Sequence, residues 1–364
     1  MNKNLIIFIP SIEDGGVEKN LYIISNYLIK QKIKIEILTC NGNKKKNFHK
    51  NIDFIGTKSS FWFNKSRNIK YIICLLYLFI YLLKNRTKKL VFAFQANIYA
   101  ILITKLTKTK VITRSNSSPS GWSKSHIKRV IYYLGIRLAD DVMVNSYEFK
   151  KEFKKIFNIN PKCILNPFDE TYFYKKKLKL NKKKKNSKSL NIISIGRLTD
   201  QKDHLTLLKA AKLINPNLNP VVTIIGKGQN YFMLKNFIKN NNLFSTVKLV
   251  GYHPKPYIFF NKADIFVLTS MYEGLPNVLL EAQFFKKYII STNCPTGPKE
   301  ILLNGQAGDL INIGDYKNLS KLINSYMKRK KKISAMIKNG TKNFKRYDYS
   351  INCKKYLNFV NQNF

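Results

Sequence analysis

The chain has 364 residues, enough for two domains of ordinary size, and its 45% hydrophobic and 13% aromatic content excludes an intrinsically disordered polymer. A formal net charge of +45, from 65 Lys+Arg against 20 Asp+Glu, favours a polyanion: nucleic acid, nucleotide phosphates or an anionic membrane face. Lysine also arrives with abundant Asn and Ile, a compositional bias, so much of the charge reads as solvated surface and selects no partner by itself.

In chain order, Leu5–Pro10 reads as a strand, followed by a turn at Glu13 to Gly16 and a helix from about Val17. The opening apolar run is too short for a signal peptide, so no export is expected. Ile33–Thr39 is a second strand. Tyr71–Leu83, flanked by Lys70 and Lys84, falls short of the roughly 20 residues a spanning helix needs. It reads either as a helix packed on a sheet or as one dipping into a membrane interface with its basic flanks on lipid phosphates. Leu90–Gln95, Lys110–Thr113 and Asp141–Asn145 continue the strands, with helices between them, an alternation that implies a parallel sheet.

The alternation breaks at Lys175 to Lys185, a self-repelling stretch with little to bury. It restarts with Leu190–Gly196, a helix from about Asp203, Val221–Gly226, a helix from Tyr231, then Val247–Gly251, Ile265–Thr269, a helix over Val278–Phe285, and Tyr288–Ser291. The expected organisation is therefore an acceptor-type Rossmann-like domain over 1–172, a Lys-rich linker over 173–189 and a second Rossmann-like domain over 190–344. A final helix at about 345–364 is expected to pack back on the first domain. Doubly wound domains bind ligands at the carboxyl ends of their strands, so the expected site is a central cleft faced by both.

Cys40, Cys74, Cys163, Cys294 and Cys353 form no CxxC pair, so neither a zinc site nor a disulfide framework is expected and a reducing, cytoplasmic setting fits. No DxD-type carboxylate pair stands at a strand end, so no metal-dependent donor site is expected. No GxGxxG follows Pro10 or Gly196, which argues against nicotinamide enzymes.

Three clusters at strand-to-helix turns carry chemistry. Gly15-Gly16-Val17-Glu18 lets bare backbone approach a ligand at a helix start, where amides favour an anion. A glycine pair alone is also what any tight turn uses. In Gly196-Arg197-Leu198-Thr199-Asp200-Gln201-Lys202-Asp203, a guanidinium and an ammonium on one turn can converge on a phosphate pair and stabilise charge on a departing nucleotide. In Glu273-Gly274-Leu275-Pro276-Asn277-Val278-Leu279-Leu280-Glu281, the loop carboxylate can accept from sugar hydroxyls and the helix carboxylate can clamp a ribose diol. The amides of Asn277, Val278 and Leu279 can serve the diphosphate.

Together these motifs resemble the family 4 glycosyltransferases of the GT-B fold. Cys294-Pro295-Thr296-Gly297-Pro298-Lys299-Glu300-Ile301 further resembles the subgroup that builds bacterial surface glycans and lipid-linked oligosaccharides. The resemblance implies that Arg197 and Lys202 bind the donor diphosphate, Glu281 the ribose, and that Glu273 faces the transferred sugar. It implies that Gly15 and Gly16 approach donor phosphate and that Gly226 and Gly228 border the base. A UDP-sugar donor, no obligatory metal or other cofactor, and retention by same-face attack follow from the same resemblance.

Many members carry a first-domain histidine at the reaction centre, whereas His49, His126, His204 and His253 lie away from the strand ends; His204 and His253 are expected at the surface or at helix starts. Those ends offer Gln95, Asn97, Arg114, Ser115 and Asn116 as acceptor-side candidates. Lys65, Arg67, Lys70, Lys84, Arg86, Lys88 and Lys89 bracket the apolar helix and suit an anionic membrane carrying a lipid-linked acceptor, which places the chain peripherally on the inner membrane face. A basic nucleic-acid-binding module is the rival class, but no groove-reading motif or interleaved aromatic face is present. A GT-B nucleotide-sugar epimerase or a phosphorylase could share the scaffold.

Overall fold

The computed structural model describes residues 3–13, 15–57, 60–63, 65–85, 89–116, 126–174 and 189–364. The chain divides into two units: Met1–Pro167 with Tyr347–Phe364, and Phe168–Arg346.

The first unit is built on a seven-stranded parallel sheet in the order β3-β2-β1-β4-β5-β6-β7. Its strands are β1 (Asn4–Phe8), β2 (Lys34–Leu38), β3 (Asp53–Ile55), β4 (Lys89–Ala93), β5 (Lys110–Arg114), β6 (Asp141–Val144) and β7 (Lys162–Cys163). Leu5, Ile6, Ile7 and Phe8 are all fully buried, the continuous apolar run required of a strand covered on both faces. One face packs on the helix Gly16–Lys30, through Leu21, Ile24 and Leu28, and on the last helix, Tyr349–Asn363, through Tyr356, Phe359 and Val360.

The other face packs on the helices Arg67–Lys84, Asn97–Leu106, His126–Ile136 and Tyr147–Phe157. In Arg67–Lys84 only the stripe Lys70, Cys74, Leu78, Leu82 is buried; Ile72, Leu76 and Ile80 face outward. Lys70 is drawn inward, and Lys89 pairs with Glu36 at 3.5 Å and lies over the Tyr81 ring, so these two expected membrane-facing cations are otherwise engaged. Arg86 and Lys88 lie outside the described residues. Among the described residues, no helix is long and apolar enough to cross a membrane. All five cysteines are free, with the buried Cys40 and Cys74 sulfurs 3.2 Å apart.

The second unit carries a six-stranded parallel sheet, β10-β9-β8-β11-β12-β13, from β8 (Leu190–Ile195), β9 (Pro220–Ile225), β10 (Val247–Gly251), β11 (Ile265–Leu268), β12 (Tyr288–Thr292) and β13 (Asp309–Ile311). The expected boundary after residue 172 moves to Pro167/Phe168. The cause is aromatic packing: Phe168 stacks on Phe173 at 4.7 Å and meets Phe284 and Phe344, which draws the segment before the linker into the second unit. Residues 175–188 of the lysine-rich linker lie outside the described residues.

In both sheets the strand order reverses beside the first strand, between β1 and β4 and between β8 and β11. In an open parallel sheet such a reversal opens a crevice at the carboxyl ends of the two strands. The loops leaving β1, β8 and β11 carry the three chemistry-bearing clusters, and the loop leaving β4 carries Gln95.

Candidate active site

After β8 the chain turns through Gly196–Thr199 into a short 3-10 turn, Asp200–Lys202, and the helix His204–Ala211. The turn is tightly held. Leu198 N–H donates to Lys227 O at 2.9 Å and Asn230 N–H to Leu198 O at 3.0 Å. A Cβ on Gly226 would overlap the Gly196 carbonyl, and one on Gly228 the Leu198 carbonyl. These two glycines let two strand-end loops touch backbone to backbone, a role that packing alone accounts for. Asp203 caps the helix from a left-handed conformation (φ +42), accepting from Thr206 N–H and Oγ1. Strain of this kind at a loop end fixes where Lys202 emerges.

Lys202 extends to the loop after β11, where its Nζ donates to Glu273 Oε1. The same oxygen accepts from Ser270 Oγ at 2.6 Å. Both bonds fall on Oε1, which orients Oε2 for another donor. Glu273 is buried, and its main chain is clamped on both sides: its N–H donates to Pro295 O (3.1 Å) and its carbonyl accepts from Thr296 Oγ1 (2.7 Å). Thr296 and Gly297 take left-handed backbone (φ +59 and +91), and a Cβ on Gly297 would overlap the Gly274 carbonyl. The loop Cys294–Pro298 is thus shaped to seat Glu273-Gly274.

A further bridge joins the two loops. Gln201 Nε2 donates to Tyr272 O (3.0 Å), Met271 N–H to Gln201 O (2.8 Å), and Thr269 Oγ1 to Lys202 O (2.9 Å). Arg197 stands exposed on the same turn, with Nη2 3.3 Å from Gln201 Oε1. The cationic and acidic groups expected at one place, Arg197, Lys202 and Glu273, are therefore assembled by adjacent loops at the second switch point.

The helix Asn277–Phe284 begins directly after Pro276, with no side-chain cap at its start. Of the three amides expected to face an anion, that of Leu279 donates to Pro276 O at 3.0 Å and is engaged in the turn; Asn277 and Val278 are half-buried at the helix start. Glu281 is buried on the same helix.

His204 was expected at the surface or at a helix start, and the structure places it at the start of His204–Ala211, buried. The ring is 3% exposed, and burial, with the nearby Lys202 charge, pulls its pKa down to about 4. The imidazole is neutral at neutral pH. Its Nδ1 and the Thr199 hydroxyl, both without a hydrogen-bond partner, lie among the residues of a cavity of about 150 Å³ that Asp200, Asn230 and Met271 also line. Burial, and then the Glu273 charge, push the Cys294 thiol up to about 12, so it stays protonated beside the acid. His253 is half-buried against Phe259, His49 is half-buried, and the His126 side chain lies outside the described residues.

The first switch point is built differently. Glu18 is buried at the start of Gly16–Lys30 and accepts from Gly15 N–H (3.0 Å), Glu13 N–H (3.4 Å) and Gln95 Nε2 (3.3 Å). Burial raises its pKa, and the backbone amides of Glu18, Glu13 and Gly15 partly oppose the rise. The Gly15 amide, expected to approach donor phosphate, points in this structure at Glu18; Gly16 begins the helix. Gln95 also accepts from Ser11 N–H at 3.4 Å, which ties the β1 and β4 loops together.

Beyond it, Ala96 takes a left-handed conformation (φ +52) at the start of Asn97–Leu106. Asn97 Nδ2 donates to Arg114 O, and Asn116 Nδ2 to Phe94 O. The amide oxygens of both, with Ser115 Oγ and Asn145 Oδ1, are buried without a hydrogen-bond partner. Such orphaned acceptors are what hydroxyl or water donors would satisfy. Arg114 differs from the others: it is fully buried, donating through Nε to Tyr356 OH (3.0 Å) and through Nη2 to Asn166 Oδ1 (2.7 Å). Its guanidinium ties the last helix to β5 and is not presented to solvent. Asn145, Ser270, Gln201 and Thr296 belong to these constellations but were not among the sequence candidates.

Among the described residues, no three His, Cys, Asp or Glu side chains converge to hold a metal ion.

Two doubly wound units, each with polar residues gathered at a strand-order reversal, define a two-domain Rossmann-like α/β protein. The comparisons narrow this. Residues 175–343 match the family model described as Glycosyl transferases group 1. An uncharacterized glycosyltransferase of Methanocaldococcus jannaschii is 38% identical over 115 residues, 31% of this chain and 28% of that protein. In Campylobacter jejuni, N-acetylgalactosamine-N,N'-diacetylbacillosaminyl-diphospho-undecaprenol 4-alpha-N-acetylgalactosaminyltransferase is 25% identical over 261 residues, 69% of this chain and 70% of that protein. The chain thus spans under a third of the archaeal relative's length and about seven tenths of the bacterial one's. The crystal structure of Anabaena HepE in complex with UDP superposes with a TM-score of 0.76 at 16% identity, over 99% of this chain and 100% of that one. The fold is that of the GT-B glycosyltransferases, and the family match with the sequence relatives supports a glycosyltransferase.

Proposed function

We propose that the chain is a retaining family 4 glycosyltransferase that moves a hexose or N-acetylhexosamine from a nucleotide diphosphate sugar, a UDP-sugar in the simplest case, to a lipid-linked glycan acceptor. The product would belong to polysaccharide, lipopolysaccharide or lipid-linked oligosaccharide synthesis, and the work would take place at the inner face of the cell membrane without an obligatory metal. The observation that carries this reading is the Lys202–Glu273 pair at the second switch point, with Arg197 on the same turn. The Campylobacter relative acts on a diphospho-undecaprenol acceptor and the Anabaena neighbour binds UDP, which supports the choice of acceptor and donor.

In this reading the bond from the anomeric carbon to the β-phosphate oxygen breaks with its electron pair moving to that oxygen. Lys202 and Arg197 stabilise the charge that develops there, the task a cation would otherwise perform. The acceptor hydroxyl adds to the anomeric carbon from the face the phosphate leaves, and its proton passes to the departing phosphate oxygen. Glu273 Oε2 accepts from a hydroxyl of the transferred sugar, Glu281 from the ribose diol, and the amides of Asn277 and Val278 face the diphosphate. Gly15 and Gly16 supply close-approaching backbone, Gly226 and Gly228 border the base, and Gln95, Asn97, Ser115 and Asn116 receive acceptor hydroxyls.

A donor screen that measures UDP or GDP release with isolated membranes as acceptor tests the proposal. Nucleotide release that depends on membranes, and is lost in Glu273→Ala and Lys202→Ala, is expected. Interconversion of the free nucleotide sugar without transfer would assign an epimerase instead, and salt-sensitive DNA affinity without nucleotide-sugar binding would revive the nucleic-acid reading.

A further inference from the structure

The face of the first sheet that carries four helices leaves an apolar surface exposed, and it does so in register. Along Arg67–Lys84 the exposed residues Ile69, Ile72, Leu76, Ile80 and Leu83 recur every three or four positions, opposite the buried Cys74, Leu78 and Leu82. The next helix, Asn97–Leu106, repeats the arrangement, with Tyr99, Leu102 and Leu106 exposed against buried Ile98 and Ile101. In the third, His126–Ile136, Val130 and Leu134 are exposed and Ile136 is buried. All three bury their inner stripes in one core cluster, so they lie side by side on the same sheet face and their outer stripes form one continuous surface. A soluble surface rarely carries an apolar patch of that extent without a partner.

We propose that this three-helix face is a docking surface for an anionic lipid bilayer, seated by insertion of its apolar stripes and not by charge alone. The charge around the patch selects the lipid. None of the three helices contains an Asp or Glu, while exposed Arg67 and Lys84 stand at the two ends of the first and exposed Lys108 follows the second. Apolar stripes rimmed by cations match an acyl boundary beneath anionic headgroups. A second copy of the chain is a poorer match, because a two-fold contact through this face would set the same basic rims against each other. The inference deepens the reading of a membrane-carried acceptor, and rests on it only for placing the chain near a bilayer.

The test uses the full chain and vesicles of phosphatidylglycerol and phosphatidylcholine. Co-sedimentation is read at low salt and at about 0.5 M salt, where the screening length falls to about 4 Å and attraction from the +45 surface is suppressed. The variant Ile72→Ser/Leu76→Ser/Ile80→Ser alters only side chains at least half exposed. A second variant, Leu102→Ser/Leu106→Ser, samples the neighbouring helix, and UDP binding by calorimetry reports whether the second unit is intact. Wild type should stay on the vesicles at high salt, and each variant should lose about tenfold or more of that salt-resistant binding with UDP affinity unchanged. Release of wild type by salt, equal retention of both variants, or a salt-resistant dimer that the substitutions split without vesicle binding would overturn the proposal. Loss of UDP affinity in wild type with vesicle retention intact would count against the transferase reading and leave the docking face standing.

Discussion

Removing either member of the Lys202–Glu273 pair should damage activity and stability in amounts that do not add. The two side chains are 14% and 8% exposed, so neither charge can be fully rehydrated once its partner is gone. Breaking a buried pair costs about 3–5 kcal/mol, and the partial exposure of Lys202 brings the expectation to about 2–3 kcal/mol for Lys202→Met or Glu273→Gln. Ser270, which still donates to Glu273 Oε1, softens the loss of lysine more than its own loss would. In Lys202→Met/Glu273→Gln no charge is stranded, so the double variant should recover about 2 kcal/mol relative to the sum of the singles.

Turnover follows a separate logic. Deleting one group that stabilises a developing oxyanion lowers kcat about 10²–10³-fold. If Lys202 and Glu273 act on the same bound donor, the double variant should lie within about tenfold of the worse single. Urea unfolding gives the stability cycle, and nucleotide release at saturating donor gives the kinetic one. Wild-type turnover in either single, or effects that add within about 0.5 kcal/mol in both cycles, would refute the argument that these groups form one functional unit.

Protonation of His204 is expected to limit stability in acid. Its folded pKa of about 4 lies below the unfolded value near 6.5, so the unfolded chain binds more protons and stability is lost as pH falls from about 6.5 to 4, by about 3 kcal/mol. Urea midpoints of wild type and His204→Gln should converge across that window; parallel curves would show that the ring titrates normally. Gly297→Ala, at φ +91 and against the Gly274 carbonyl, should cost about 1–3 kcal/mol and lower kcat through displacement of Glu273, which nucleotide release and a thermal melt would detect together. Tyr356→Phe removes the acceptor of Arg114 Nε, and should cost about 1–3 kcal/mol with faster amide exchange confined to Tyr349–Asn363 and its contacts.

What the sequence made legible follows from burial. Strands such as β1, β8 and β12 are covered on both faces, and only a continuous apolar run survives there, so their positions are readable to within a residue or two. The short edges β3, β7 and β13 went unread because two or three half-exposed residues leave no pattern. In the site, Arg197, Lys202 and Glu273 announce themselves by standing at strand ends, but their meeting does not. Lys202 and Glu273 lie 71 positions apart and are joined only because β11 pairs directly with β8, a fact of topology and not of local sequence. Ser270, Thr296 and Gln201 are ordinary polar residues whose role exists only through those contacts. Arg114 was read as an acceptor-side candidate, and its burial was not legible because its partners, Asn166 and Tyr356, come from positions 52 and 242 residues away.

The same topological device appears in both units with different polar groups gathered at it. At the β1/β4 reversal the anchor is a buried carboxylate, Glu18, ringed by amide donors, with Glu13 beside it and orphaned amide and hydroxyl oxygens further along. An anion arriving there would meet like charge. At the β8/β11 reversal Lys202 pairs with Glu273 and the exposed Arg197 stands on the same turn, with Asp200, Asp203 and Glu281 on the same loops and helices. In the proposed reading the diphosphate is met at the second reversal by Arg197 and Lys202, and the hydroxyl-rich acceptor group at the first by the orphaned amide and hydroxyl oxygens.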